Sequence, residues 1–164
     1  INAVDYFPTQ KPAAVNALWG PERTVDLAKH SDILILTLPL NAQTEKSIGR
    51  EVFQALPVGS FFVNVARGAC VDESALIDAL ESGHLAGAGV DVTAVEPLPQ
   101  DSPLWTQKNV LITPHVGAQA ASRVDDTTRL CCFNLRNYLD GKPLLNLVDK
   151  RLGFPRPEVQ AVLH

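Results

Sequence analysis

Apolar residues fall along this chain in short uninterrupted runs, separated by segments with helical spacing. The runs are residues 1–4, closed by Asp5; 33–38, stopped by Pro39; 60–65; 87–92; and 109–113, stopped by Pro114. Continuous rather than alternating apolar runs predict strands buried on both faces, as in a parallel sheet. Between them the spacing predicts helices over 24–29 and over 50–56, the latter ended by Pro57 and Gly59. Another is predicted over 73–80, with Asp72 as N-cap and Gly83 as the C-terminal stop. The longest helical pattern covers 118–139 and ends before Gly141 and Pro143. This alternation predicts an α/β fold with a doubly wound parallel sheet. Residues 93–108, with Pro97, Pro99 and Pro103, break the alternation. They predict a long loop near the carboxyl edge of the sheet, where ligands bind in such folds.

Composition narrows the function classes. The 164 residues are 46% hydrophobic and 20% charged, and 14 basic against 18 acidic side chains give a net charge of −4. Such a chain is neither disordered nor fibrous, and it reads as a soluble globular protein. Its mild acidity argues against a nucleic-acid partner. No apolar run reaches the ~20 residues needed to span a bilayer, so no membrane association is expected. Nor does a basic-then-apolar leader open the sequence. Three cysteines, two of them adjacent (Cys131, Cys132), do not form a disulfide framework. Buried free thiols in a reducing, cytoplasmic setting are expected. His30, His84, His115 and His164 are scattered, so no metal site is predicted.

The glycine fingerprint of a dinucleotide-binding sheet, Gly-x-Gly-x-x-Gly, does not occur in the sequence. Gly87-Ala88-Gly89 has two glycines and no helix start behind it, and reads as a flexible beginning to a strand. Residues 1–5 nevertheless look like the second strand of a nucleotide-binding half, because an acid ends them. In that fold the acid follows the fingerprint by about 20 residues and holds the ribose hydroxyls. The chain therefore reads as starting just after the fingerprint.

Four stretches stand in a telling order: Leu36-Thr37-Leu38-Pro39-Leu40, Asn64-Val65-Ala66-Arg67-Gly68, Gly89-Val90-Asp91-Val92 with Glu96-Pro97, and Thr113-Pro114-His115-Val116-Gly117. Together they resemble the NAD-binding domain of the D-isomer-specific 2-hydroxyacid dehydrogenases, a Rossmann-like fold. This group includes glycerate, phosphoglycerate and D-lactate dehydrogenases and glyoxylate or hydroxypyruvate reductases. The resemblance runs to about Val148, and Gly141-Lys142-Pro143-Leu144-Leu145-Asn146 resembles the family's end signature. The intervals also match: 91−67 = 24, 96−91 = 5 and 115−96 = 19.

What the resemblance implies is hydride transfer between NAD(H) and a small D-2-hydroxy or 2-oxo acid. Such a reduction needs a cation for the carboxylate, a proton donor for the carbonyl oxygen and a hydride. By resemblance Arg67 orients the substrate carboxylate, His115 is the acid/base, and Glu96 hydrogen-bonds that histidine. A carboxylate beside an imidazole favours its protonated form. Glutamate here also argues against the formate dehydrogenase branch, where glutamine is expected. Asp91 resembles the residue that takes the nicotinamide amide. Asp5 would hold the adenosine ribose and favour NAD, since a carboxylate repels a 2′-phosphate. Pro39, Thr44, Val65, Ala66, Val116, Gly117 and Ala118 would add cofactor contacts, beside Arg67 and His115. Thr93 and Ala94 depart from the family, which often has an aromatic and an acid there. A homodimer is implied by the resemblance alone.

The resemblance further implies residues 1–140 as a partial dinucleotide-binding domain. Residues 141–164 would return toward a substrate domain built from both chain ends, with 149–164 unassigned. The first strand is missing, and it would sit centrally between the strand at Ile1 and that at Ser60. The 164 residues are therefore expected to belong to a longer polypeptide or to need a partner segment. Two other readings stand beside the enzyme: an NAD-linked corepressor-type interaction protein of the same family, and a catalytically inactive fragment.

Overall fold

A computed structural model describes residues 1–8 and 11–156, which fall into two compact units, 1–115 and 116–164. In the first unit β1 (Asn2–Val4) pairs in parallel with β2 (Ala17–Trp19). A second, four-stranded sheet has the order β3 (Ile33–Leu36), β4 (Ser60–Asn64), β5 (Leu85–Val90), β6 (Val110–Ile112), all parallel. The connections carry α1 (Thr24–Lys29), α2 (Arg50–Ala55) and α3 (Glu73–Glu81).

These elements form for local reasons that the sequence already carries. Asp72 caps α3, its carboxylate accepting from Ala75 N, and Gly83 follows with φ +72°, a turn open to glycine. The Ser74 hydroxyl bonds the same carboxylate and, above all other causes, holds it below the usual carboxylate range. Leu27, Val52, Phe53, Leu76 and Leu80 on the helices pack with Leu34, Leu36, Phe62 and Val90 on the strands. Phe53 and Phe62 meet edge to face, centroids 5.2 Å apart.

In the first unit three sequence expectations need correction. The apolar runs are not buried on both faces. Strand β3 alternates, with Leu34 and Leu36 buried but Ile33 and Ile35 exposed, and Phe61 and Leu111 share that bare face. The three helices form one packed row on the other face.

The expected missing strand cannot lie beside Ser60, because β4 is already paired on both sides, by β3 and β5. Ala17–Trp19, unread as a strand, takes the third position beside β1. Among the described residues β1 and β3 each keep one unpaired edge and are not hydrogen-bonded to each other. Finally, Gly87-Ala88-Gly89 lies inside β5 rather than at its start.

The second unit contains α4 (Arg123–Leu139) and a short antiparallel pair, β7 (Val148–Asp149) with β8 (Phe154–Pro155). The helix starts five residues later than predicted, because Gln119 N bonds Val116 O in a turn and Arg123 N bonds Ala120 O. No residue of α4 is buried, so Cys131 and Cys132 are exposed thiols, against expectation, and only Cys70 is buried. The pair β7–β8 gives structure to the start of the unassigned tail, whose residues 157–164 lie outside the described part. No helix among the described residues is long and apolar enough to cross a membrane.

Candidate active site

The candidate side chains Arg67, Asp91, Glu96 and His115 stand on the loops that leave the carboxyl ends of β4, β5 and β6. After β4, the buried Asn64 side chain shapes the turn: its Oδ1 accepts from Ala66 N (3.0 Å) and its Nδ2 donates to Arg67 O (3.3 Å). Ala66 is thereby buried while Val65 and Arg67 are exposed, which presents the guanidinium to solvent. In this structure Arg67 donates to the carbonyl of Ala66 at 2.6 Å. Gly68 follows with no room for a side chain, since a Cβ there would lie 1.9 Å from the carbonyl carbon and oxygen of Thr93.

After β5, Asp91 is buried and its Oδ1 accepts from the Thr113 hydroxyl at 2.5 Å. Its backbone is shared between neighbours: Asp91 N donates to Asn64 O, and Asp91 O accepts from His115 N, each at 2.9 Å. The chain then turns through Thr93 to Glu96, where the Thr93 hydroxyl donates to Val95 O at 2.8 Å. Thr93, a departure from the family pattern, thus closes its own turn.

After β6, His115 sits at φ +54°, a left-handed conformation that costs a non-glycine residue free energy and recurs at functional positions. Its amide bonds to Asp91 O and Thr113 O hold it there. The ring Nδ1 lies 2.7 Å from Glu96 Oε2. An ionised carboxylate only accepts, so Nδ1 carries the hydrogen and Nε2 is the nitrogen able to exchange a proton with a ligand. The bond to His115, foremost among several causes, holds the Glu96 carboxyl below the usual carboxylate range; the Arg67 charge acts in the same direction. Arg67, Glu96 and His115 therefore form one electrostatic group, and both members of the pair remain partly open to solvent.

The other predicted positions divide. Pro39 is half-buried, and its carbonyl accepts from the Thr44 hydroxyl at 2.6 Å. That hydroxyl also receives Asn41 N, so Thr44 holds the 39–44 loop in shape. The Cys70 thiol lies below this loop, and burial pushes its pKa up. Asp5 is exposed at the end of β1, where Oδ1 accepts from Phe7 N at 2.9 Å. Val116, Gly117 and Ala118 belong to the second unit and are exposed within it. Asn64, Gly68 and Thr113 were given no role from sequence. An Asn two residues before an Ala-Arg-Gly turn is the signal that could have pointed to the first.

Comparison with known proteins agrees with this fold. Residues 1–117 match the family described as D-isomer specific 2-hydroxyacid dehydrogenase, NAD binding domain. Over 125 residues the chain is 40% identical to glyoxylate/hydroxypyruvate reductase B of Cronobacter sakazakii, covering 76% of this chain and 39% of that protein. It is 37% identical over 142 residues to glyoxylate/hydroxypyruvate reductase A of Salmonella newport, covering 85% and 44%. Among solved structures, a D-isomer specific 2-hydroxyacid dehydrogenase from Xanthobacter autotrophicus Py2, in complex with NADPH and MES, superposes with a TM-score of 0.82 at 40% identity. That match covers 93% of this chain and 47% of the other. An NADPH-dependent glyoxylate/hydroxypyruvate reductase from Sinorhizobium meliloti, in complex with NADP and malonate, gives 0.75 at 30% identity, covering 99% and 48%. The chain thus spans less than half the length of these relatives. It belongs to the NAD-binding domain family of the D-isomer-specific 2-hydroxyacid dehydrogenases.

Proposed function

We propose that this chain is the nucleotide-binding and acid/base portion of a reductase that passes hydride between NAD(H) and a small D-2-hydroxy or 2-oxo acid, glyoxylate or hydroxypyruvate being the first substrates to try. The observation that carries the reading is the Glu96–His115 bond at 2.7 Å beside Arg67. The donor set fits a nicotinamide dinucleotide: a carboxylate at the end of β1 for a ribose diol (Asp5) and a buried one at the end of β5 for a carboxamide (Asp91). When bound, the nicotinamide supplies the hydride. Arg67 is the cation for the substrate carboxylate, in a bidentate grip available only to a guanidinium. His115 gives a proton to the nascent alkoxide from Nε2 and takes it back in the oxidation direction. Glu96 holds the ring by Nδ1 and so leaves Nε2 for the proton transfer.

We extend the proposal to cofactor preference, NAD over NADP, on the exposed Asp5 carboxylate, which would repel a 2′-phosphate. The two relatives described with NADPH or NADP make this a point to test. Pro39, Thr44, Val65, Ala66, Val116, Gly117 and Ala118 are proposed as the remaining cofactor contacts. Residues 1–140 form the dinucleotide-binding portion in this reading, and 141–164 lead back toward the substrate lobe. A cytoplasmic setting is supported by three unpaired thiols. A homodimer rests on the family resemblance. The test is a chimera in which this chain replaces the matching segment of the Cronobacter reductase. NADH oxidation driven by glyoxylate or hydroxypyruvate supports the reading. A folded chimera that binds NADH but turns over neither acid overturns it.

A further inference from the structure

The Glu96 turn is anchored from outside the acid/base pair, and we propose that Glu73 is the positioning residue that anchors it. The chemistry of this assignment rests on the reading above; the assignment itself rests on geometry. Glu73 is the first residue of α3, and its Oε2 accepts from Ala94 N at 3.0 Å, across 21 residues of chain. Glu96 Oε1 accepts from the adjacent amide, Thr93 N, at 3.2 Å. Two carboxylates therefore take the two successive amides of one turn. Glu96 keeps its other oxygen for His115.

A glutamate in the first turn of a helix ordinarily faces water and complements the helix dipole. Glu73 is half-buried, and α3 does not need it as a cap, because Asp72 already receives Ala75 N. The same turn is gripped from the Arg67 side, where a Cβ on Gly68 would come within 1.9 Å of Thr93 and 2.5 Å of Ala94 N. Gly68 allows the Arg67 loop to touch this peptide, and Glu73 bonds it to the start of α3. Together they fix the spacing between the carboxylate-gripping cation and the acid/base pair. Without the Glu73 bond, the Ala94 amide loses its acceptor and Glu96 meets His115 for a smaller fraction of the time.

The experiment is NMR on the chimera described above, comparing the unaltered chimera with its Glu73→Asp and Glu73→Gln variants. Aspartate keeps the charge and suits the first position of a helix but is one methylene too short to reach Ala94. Glutamine keeps both the reach and an accepting oxygen. Two readouts are followed: hydrogen exchange of the Ala94 amide and the titration midpoint of the Glu96 carboxylate. In Glu73→Asp, exchange at Ala94 rises about tenfold, and the Glu96 midpoint moves up toward the ordinary carboxylate value. In Glu73→Gln both stay at the wild-type values. A residue that only steadied α3 would shift the melting temperature and move neither readout. Wild-type values in Glu73→Asp overturn the proposal, and a response confined to Glu73→Gln would mark an effect of charge alone; an equal response in both variants overturns it too, because reach to Ala94 is then not what matters. Neither readout needs turnover, so an inactive chimera with an intact Glu73 response would count against the dehydrogenase reading and not against this one.

Discussion

The Glu96–His115 region and the end of β1 are both proposed to meet the same dinucleotide, yet they are built in opposite ways. Around His115 the bonds join distant segments: Asn64 to Asp91, Asp91 to His115, Thr113 to Asp91, Glu73 to Ala94, and Glu96 to His115. At the end of β1 the Asp5 side chain bonds an amide two residues away, and the segment is tied across by Asp5 N to Trp19 O. The first arrangement is over-determined, so the left-handed backbone of His115 is held by several independent contacts. The second leaves an exposed carboxylate on a two-stranded ribbon. The proposed proton donor is set by the tertiary fold, whereas the proposed cofactor-selecting carboxylate can vary locally at little cost to the rest.

Breaking the first region should therefore cost far more than altering the second. Gly68→Ala has the largest expected effect. The added methyl collides with the Thr93 peptide, and a loss of about 1–3 kcal/mol is expected in denaturant unfolding, with the Arg67 and Glu96 loops pushed apart. Asp72→Ala removes the α3 cap that stands just before Glu73 and should cost about 1 kcal/mol. The Asp72 pKa is depressed in the folded chain, so its contribution is complete above the ordinary aspartate range and fades as pH falls through the native value. Unfolding curves taken at falling pH should show the wild type approaching the variant, with the gap widest near neutrality. Asp5→Ala should change stability by no more than about 0.5 kcal/mol, while NADH binding weakens relative to NADPH in a fluorescence titration. A loss of stability at Asp5 as large as that at Gly68 would erase the contrast between the two regions.

The same contrast explains what could be read in the sequence. Arg67, Glu96 and His115 were legible because each ends or follows a strand run and their intervals act jointly; no one of them stands out alone. Helices α1 to α3 were legible from their stops and the Asp72 cap. Ala17–Trp19 was not, since three residues among alanine, asparagine and glycine give no periodicity, and only pairing with β1 makes them a strand. Burial of Ile33, Ile35 and Phe61 was overestimated because a continuous apolar run says what a strand can bury, not which layers are present to bury it. The start of α4 was misplaced because Ala118 to Ser122 suit a helix, yet the Val116–Gln119 and Ala120–Arg123 turns occupy them. Glu73 was invisible for a further reason: an acid in the first turn of a helix is so common that its partner 21 residues on left no mark in the pattern.

The central claim is that His115, held by Glu96, carries the proton. It is tested most directly by kcat/KM for glyoxylate reduction in the chimera with His115→Ala, alongside NADH binding as a control. A positioned general acid contributes roughly 10²–10⁴-fold, so kcat/KM should fall by at least about 100-fold with NADH affinity retained. A His115→Ala chimera that keeps wild-type kcat/KM would contradict the account.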